Sequence, residues 1–374
     1  MRAVMPELPE PTDWLPYYQP SVEANWFTNF GPVNTQFEAR LYELYGCQNE
    51  TVVTAANATC GLSACLIAER ISGYVLCPAF TFQATAGAIL GAGCNPFVLD
   101  VDTHSGVVTP EILEKGFEKS GASAAIVIAP YGIKTDFKQH EALCREMGKL
   151  LIIDNAAGLG VPRGMSSFSG EGEVVREVYS LHATKPFGIG EGGAIFAPKT
   201  KAPAIRAALN FGLQSHTLMG DDQPPYWGIN GKLSEVHAAI GMAVADEMCV
   251  RVVQRQAMAQ RWLSCLEDSS AQPISSQIQS SPWQVFPIIL ESHAQTLSTI
   301  EYAAARGIEL KRYYSPSLGD CTGMASLDAC PNAYELSQRV VALPVRSQMT
   351  EREQYDLMAS VRDCIFQAME SSKS

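Results

Sequence analysis

The chain has 374 residues, 47% of them hydrophobic, which is enough to build two domains around a sizeable core. Acidic residues outnumber basic ones 39 to 27, and the net charge of −12 excludes the broad positive field on which nucleic-acid binders depend. The 11 cysteines form no C-x-x-C pair and lie mostly in apolar runs (Cys65, Cys77, Cys94), which fits reduced, buried thiols and argues against a disulfide framework or a metal site.

In chain order, the amino terminus MRAVMPELPEPTDWLPYYQP is broken by prolines and acids and lacks the apolar core of a secretory signal. Nothing later approaches the ~18 apolar residues of a membrane span. A soluble, cytoplasmic protein is therefore expected. From residue 51, short β-branched runs recur: TVVTA, YVLCP, PFVLD, AAIVIAP, KLLIID, REVYSL and GAIFAP. Between the first five lie TCGLSACLIAERI, QATAGAILGAG, TPEILEKGFEKS and DFKQHEALCREMG, each with apolar residues at helical spacing. The alternation predicts an α/β fold, a three-layer α/β/α domain around a seven-stranded, mostly parallel sheet. Only the loop containing Lys185 separates the last two runs, so an antiparallel return is allowed there.

Beyond this, Leu233, Val236, Ile240, Val244 and Met248 share one stripe and predict a long amphipathic helix. The serine- and glutamine-rich segment SSAQPISSQIQSSP, residues 269–282, predicts an exposed connection. Strand-like WQVFPIIL, helical TLSTIEYAAARG and a closing helix EREQYDLMASVRDCIFQAM complete a smaller α+β domain. The expected division is a large domain over residues 1–250, including an N-terminal arm, and a small domain over 251–374.

Ligands of open α/β sheets collect beyond the carboxyl ends of the parallel strands, so polar residues there come first. In TAANATCGL a strand runs into a helix starting near Thr59; such a helix start binds phosphate, with the Thr59 hydroxyl as a further donor, or Thr59 is simply an N-cap. In LLIIDNAAGLG, Asp154 follows four apolar residues and needs a donor. It either caps the NAAG turn or, beside a pyridine ring, keeps the ring nitrogen protonated. In YSLHATK, Ser180 precedes Lys185, which sits between a buried strand and the loop GIGEGG. Desolvation there lowers a lysine from its usual ~10.4 and makes a neutral, nucleophilic amine able to form a Schiff base with an aldehyde; the alternative is a solvated loop lysine. The glycines would let backbone approach a ligand closely. They are not a dinucleotide fingerprint, because GGAIFAP continues as a strand. His182 reads as a packed side chain.

Seven pieces in this order, ANATCGL, CPAFTFQATAGAILGAGCNPFVLDVD, IAPYG, IIDNAAGLG, SLHATKPFGIGEGGAIF, GINGKLSEVHAAIG and LSQRVVALP, closely resemble the DegT/StrS-like sugar aminotransferases, pyridoxal-phosphate enzymes of fold type I. The resemblance runs from WFTNFGP at residue 26 to the final helix. It implies that Lys185 binds the cofactor's aldehyde and shuttles protons, and that Asp154 pairs with the pyridine nitrogen. It implies further that Phe82 stacks on the ring, where the plain reading is a core phenylalanine, and that Ser180, Thr59 and the backbone of Cys60 hold the phosphate. Asn230 would reach the phosphate of a neighbouring subunit's cofactor, which implies a homodimer with shared sites. Asn29, in FTNFGP, and Tyr313, in KRYYSP, are substrate-lining candidates.

Four positions depart from the commonest pattern: Ala157 and Ala58 beside the ring and phosphate, and Lys232 and Lys311 where arginine is usual. The activity implied is transfer of an amino group from an amino acid, by family likeness L-glutamate, to a keto group of a nucleotide-activated deoxysugar, with no nucleic-acid or membrane partner. A lyase, dehydratase or cyclase on the same scaffold acting on a non-sugar is an alternative, as is a non-catalytic, cofactor-binding regulatory protein. Retention of Lys185 opposes the relatives that dehydrate a sugar with histidine at this position. The complete set of Lys185, Asp154, Ser180 and Thr59 opposes a mere binder.

Overall fold

A computed structural model describes residues 1–163, 174–213, 227–321 and 323–371. Prolines in the first turn, where a missing N–H costs nothing, open α1 (Pro11–Ala24) and α2 (Pro32–Tyr45). The alternating segment then forms β1 (Glu50–Ala55), α3 (Ala58–Ala68), β2 (Tyr74–Pro78), α4 (Ala84–Gly91), β3 (Asn95–Leu99), α5 (Pro110–Ser120), β4 (Ala124–Ile128), α6 (Lys138–Glu146), β5 (Leu150–Asp154), β6 (Val175–Ser180) and β7 (Gly193–Pro198). Next come α7 (Ala202–Leu209), α8 (Glu235–Cys265), β8 (Gln272–Pro273), β9 (Val285–Ile289), α9 (His293–Ala305), β10 (Ala325–Ser326), α10 (Pro331–Arg339), β11 (Val340–Pro344) and α11 (Glu351–Ser371).

The first sheet has eight strands in the order β1-β7-β6-β5-β4-β2-β3-β10. It contains all seven expected strands, and the two-residue β10 adds itself to the β3 edge from the C-terminal part of the chain. Strands β6, β5, β4, β2 and β3 run parallel, while β7 is antiparallel to both β6 and β1. Burial on both faces explains why strands such as β4 and most of β5 read as unbroken apolar runs; every residue of β4 is buried, whereas β6 carries Arg176 and Glu177. The carboxyl ends of β2, β4, β5 and β6 therefore share one edge, with Asp154 and Ser180 closing two of them.

A smaller antiparallel sheet, β11-β9-β8, has its own core around Trp262, Trp283, Phe286 and Val361. A further apolar cluster, with Phe37, Phe187, Phe196 and Met248, joins α2 and α8 to β7 and the loop before it. No helix among the described residues is long and apolar enough to cross a membrane.

Two sequence expectations need adjustment. Leu233 precedes α8 and Val236 lies on its exposed side, so the stripe starts later than expected; small residues, Ala238, Ala239 and Ala245, carry much of the buried face together with Val244 and Met248. The helix runs unbroken from Glu235 to Cys265. Residues 269–282 are not a free connection, because β8 pairs with β9, and Ser280 and Ser281 are buried.

Candidate active site

The carboxyl ends of β5 and β6, the first turn of α3 and the loop after β6 surround a cavity of about 670 Å³. Thr59, Cys60, Phe82, Asp154, Ser180 and Lys185 all line it, as does Tyr313. Six expected cofactor residues from four separate segments thus meet in one space.

Lys185 is only partly exposed, and desolvation lowers its amine from the usual 10.5 to about 8, although the Asp154 charge pulls the other way. Its Nζ donates to Gln284 Oε1 at 3.1 Å. Burial also raises the Asp154 carboxyl, against the opposing influence of Lys185, the Ala156 N–H and the Thr85 hydroxyl. Ala156 N donates to Asp154 Oδ1 at 3.1 Å and Thr85 Oγ1 to Oδ2 at 3.4 Å. The two readings of Asp154 are therefore compatible, since the carboxylate caps the following turn and also faces the cavity. Amine and carboxyl each carry charge at a cost, and each relieves part of the other's.

At the phosphate-type corner, Asn57 rather than Thr59 is the N-cap of α3: its Oδ1 accepts from Cys60 N at 2.8 Å. The Cys60 N–H is thus already engaged. The N–H groups of Ala58 and Thr59 remain outside the helical ladder, and the Thr59 hydroxyl is free of capping duty. Ser180 adds a hydroxyl from the end of β6; its Oγ accepts from His182 N at 3.3 Å.

Of the loop GIGEGG, Glu191 lines the cavity, while Gly188, Gly190, Gly192 and Gly193 are not among the cavity residues. A Cβ on Gly193 would come within 2.6 Å of the Asn57 carbonyl carbon, so glycine there lets β7 pass under the start of α3. The close approach is of protein backbone to protein backbone.

Phe82 is 58% exposed and faces the cavity, which excludes a core role. His182 is not packed away either. It lines the cavity, with its side chain 46% exposed, Nε2 3.7 Å from Glu191 Oε1 and Nδ1 2.9 Å from Thr184 Oγ1. Ala157 and Ala58 line the cavity as well. Lys311 lies outside it, paired with Glu309 at 2.5 Å.

Asn29 is exposed, in a left-handed backbone conformation (φ 60°), and is not among the residues lining the cavity. Asn230 is exposed and also outside it; its Oδ1 accepts from Lys232 Nζ at 2.6 Å, and that amine lies 4.3 Å from the Phe211 ring centre.

Sequence reasoning missed Gln284 and Tyr131, both in the cavity wall, whereas Tyr314 lies in the substrate-lining segment KRYYSP. Tyr131 stacks on Tyr314 with ring centres 5.7 Å apart and donates its hydroxyl proton to the Tyr313 carbonyl. Signals were present: Tyr131 lies in IAPYG, and Gln284 is the one polar residue of WQVFPIIL.

The geometry fits a phosphorylated pyridine aldehyde: an amine for the aldehyde, a carboxyl for the ring nitrogen, an open aromatic face in Phe82, and hydroxyls with free helix N–H groups for the phosphate.

The sequence profile of the DegT/DnrJ/EryC1/StrS aminotransferase family matches residues 13–362. Protein Rv3402c of Mycobacterium tuberculosis is 27% identical over 376 aligned positions, covering 96% of this chain and 89% of its own. A dTDP-4-amino-4,6-dideoxy-D-glucose transaminase of Shigella dysenteriae is 27% identical, covering 96% of this chain and 97% of its own. The crystal structure of DesI in the presence of its TDP-sugar product has the same fold, with a TM-score of 0.87 at 24% identity over 99% of this chain and 95% of that one.

Proposed function

The chain belongs to the DegT/DnrJ/EryC1/StrS aminotransferase family and is a pyridoxal-phosphate-dependent aminotransferase of fold type I, and from that premise we propose that it moves an amino group from L-glutamate to a keto group of a nucleotide-activated deoxysugar. The observation that carries the reading is the meeting of Lys185 and Asp154 in one cavity, each with its ionisation displaced by burial. The relative named as a dTDP-sugar transaminase supports the acceptor class.

Pyridoxal phosphate, when bound, supplies an aldehyde to carry the amino group and an electron-withdrawing ring to stabilise the deprotonated carbon. Lys185 would attach the cofactor through its amine and, once released, is placed to act as the base that takes a proton from the donor's α-carbon and as the acid that returns it in a 1,3-shift. Asp154 keeps the ring nitrogen charged, which is what its placement at the end of a buried strand is suited to do. Thr59, Ser180 and the first-turn N–H groups of α3 hold the phosphate, with Cys60 contributing if Asn57 yields its N–H. Phe82 covers the ring, and Tyr313 borders the substrate.

Asn230 lies outside the cavity of its own chain, so in this reading it serves the site of a partner subunit in a homodimer. The part up to residue 250 holds the cofactor, and the part from 251 onward adds Gln284 and Tyr313 to the wall.

The test is an amino-donor screen against keto-sugar nucleotides. Multiple-turnover, glutamate-dependent formation of 2-oxoglutarate, stopping at about one equivalent per site without the sugar, is the expected result. Turnover with a non-sugar ketone only, or no conversion of the bound cofactor to its amine form by any donor, would overturn the proposal.

A further inference from the structure

We propose that Gln284 is a positioning residue for the Lys185 amine, aiming it into the cavity and tying its geometry to the smaller sheet. The inference rests on the reading of Lys185 as the residue that attaches the cofactor. Lysine has a flexible stem, so an amine that must meet one carbon needs something to orient it.

Gln284 is the amine's hydrogen-bond partner among the described residues, at 3.1 Å. The orientation of the amide follows from its surroundings. Its Nε2 donates to the Thr184 carbonyl at 3.1 Å and approaches Thr184 Oγ1 at 3.4 Å. A carbonyl can only accept, so the NH₂ group must face Thr184 and the oxygen is left for Lys185. Gln284 therefore grips two consecutive residues of the loop, holding the backbone of one and the amine of the next.

Its own footing is rigid. Gln284 is 9% exposed and lies immediately before β9, next to the fully buried Trp283, whose Nε1 donates to the Ile278 carbonyl at 2.7 Å and whose ring centre lies 5.3 Å from that of Phe286. The orienting group thus sits between Trp283 and Phe286 of the smaller sheet's core, whereas Lys185 lies in the loop that joins β6 to β7 of the larger sheet. A neutral amide also suits this position, because it accepts from an ammonium or an amine, whereas a carboxylate at the same place would hold the proton on Lys185 and suppress the nucleophile.

The test uses full-length wild type, Gln284→Glu and Gln284→Leu, each stripped of cofactor and checked by thermal unfolding. Competitive acetylation with acetic anhydride across pH, read at Lys185 by peptide mass spectrometry, gives the midpoint of the amine. Absorbance stopped-flow gives the rate of pyridoxal-phosphate capture. Gln284→Glu is expected to raise the midpoint by about one pH unit or more, a roughly tenfold loss of neutral amine below it. Gln284→Leu is expected to leave the midpoint within about half a unit while slowing capture roughly tenfold at every pH, the signature of lost aim rather than changed charge.

A wild-type midpoint in Gln284→Glu, or wild-type capture by Gln284→Leu, overturns the proposal. Should the leucine variant not fold, the nearly isosteric glutamate variant decides alone. Borohydride trapping in the wild type separates the two levels: a label on a residue other than Lys185 sinks the parent reading, while a label on Lys185 with unaltered variants sinks only the role of Gln284.

Discussion

At the scale of single residues, the proposed chemistry depends on holding Lys185 and Asp154 where neither is comfortable as an ion. Desolvation brings the lysine down to about 8 despite the nearby carboxylate, so a useful fraction is neutral at physiological pH. The rate of cofactor capture by cofactor-free protein is therefore expected to climb with pH and level off above about 8. A lysine with the ordinary value would still be gaining rate at pH 9, so a stopped-flow pH profile that keeps rising there would contradict the assignment. Asp154→Asn should keep the cofactor but lose the charge opposite the ring nitrogen, slowing the amino-transfer half-reaction by about 10²–10³-fold in single-turnover absorbance measurements. These two residues stood out as candidates because a charged group at the end of or near a buried apolar strand is chemically conspicuous, though a turn cap and a solvated lysine fitted the same pattern. Gln284 and His182 were not, since a neutral amide in an apolar run and a histidine in a strand-loop junction look the same whether packed or facing a cavity; only the fold distinguishes them.

At the scale of elements, the site depends on how α3 begins. Asn57 caps the helix through Cys60 N, and β7 passes directly beneath at Gly193, where a methyl group would come within 2.8 Å of Ala58 N as well. Gly193→Ala should thus destabilise the protein by about 1–3 kcal/mol through overpacking. It should also weaken cofactor binding, because what must move is the turn carrying Thr59. Thermal unfolding and a cofactor titration check both halves; a variant with native affinity would show that the turn does not depend on this contact. Asn57→Ala removes only the cap and is expected to cost about 1 kcal/mol. Strands such as β4 and β5 could be read directly from sequence because double-sided burial leaves continuous apolar runs. In α1, by contrast, Pro16 and Pro20 lie inside the helix and only Ser21 is buried, so neither propensity nor periodicity marks it. The fully buried Glu235 at the start of α8 was equally hidden, because its justification lies in distant groups: Val33 N at 2.7 Å and Ser21 Oγ at 2.8 Å.

At the scale of the whole molecule, the N-terminal residues are tied to the C-terminal half by an enclosed ion pair. Glu7 Oε2 lies 2.7 Å from Arg255 Nη2, with side chains 7% and 3% exposed, and Glu7 Oε1 accepts from Ser347 N at 3.0 Å. Burial works against the Glu7 charge, but Arg255 and Ser347 outweigh it and hold the carboxyl below its usual value of 4.5. A carboxyl lowered in the folded state contributes stability that is complete above the unfolded value and is lost as pH falls through the folded one. Glu7→Gln, which leaves Arg255 without its counter-charge, should lower stability at pH 7 by about 3 kcal/mol. The gap from wild type should narrow progressively below pH 4.5, which paired melting curves over pH 3–7 would reveal.

The assembly is testable by mixing two damaged enzymes. If the protein is the proposed homodimer and Asn230 serves the partner's site, a dimer of one Lys185→Ala subunit and one Asn230→Ala subunit contains one site with both residues intact. Random re-pairing of equal amounts makes half the dimers mixed, so about one quarter of wild-type activity should return after the two inactive preparations are exchanged. If Asn230 instead acts within its own chain, every mixed dimer lacks one of the two residues at each site, and no activity returns.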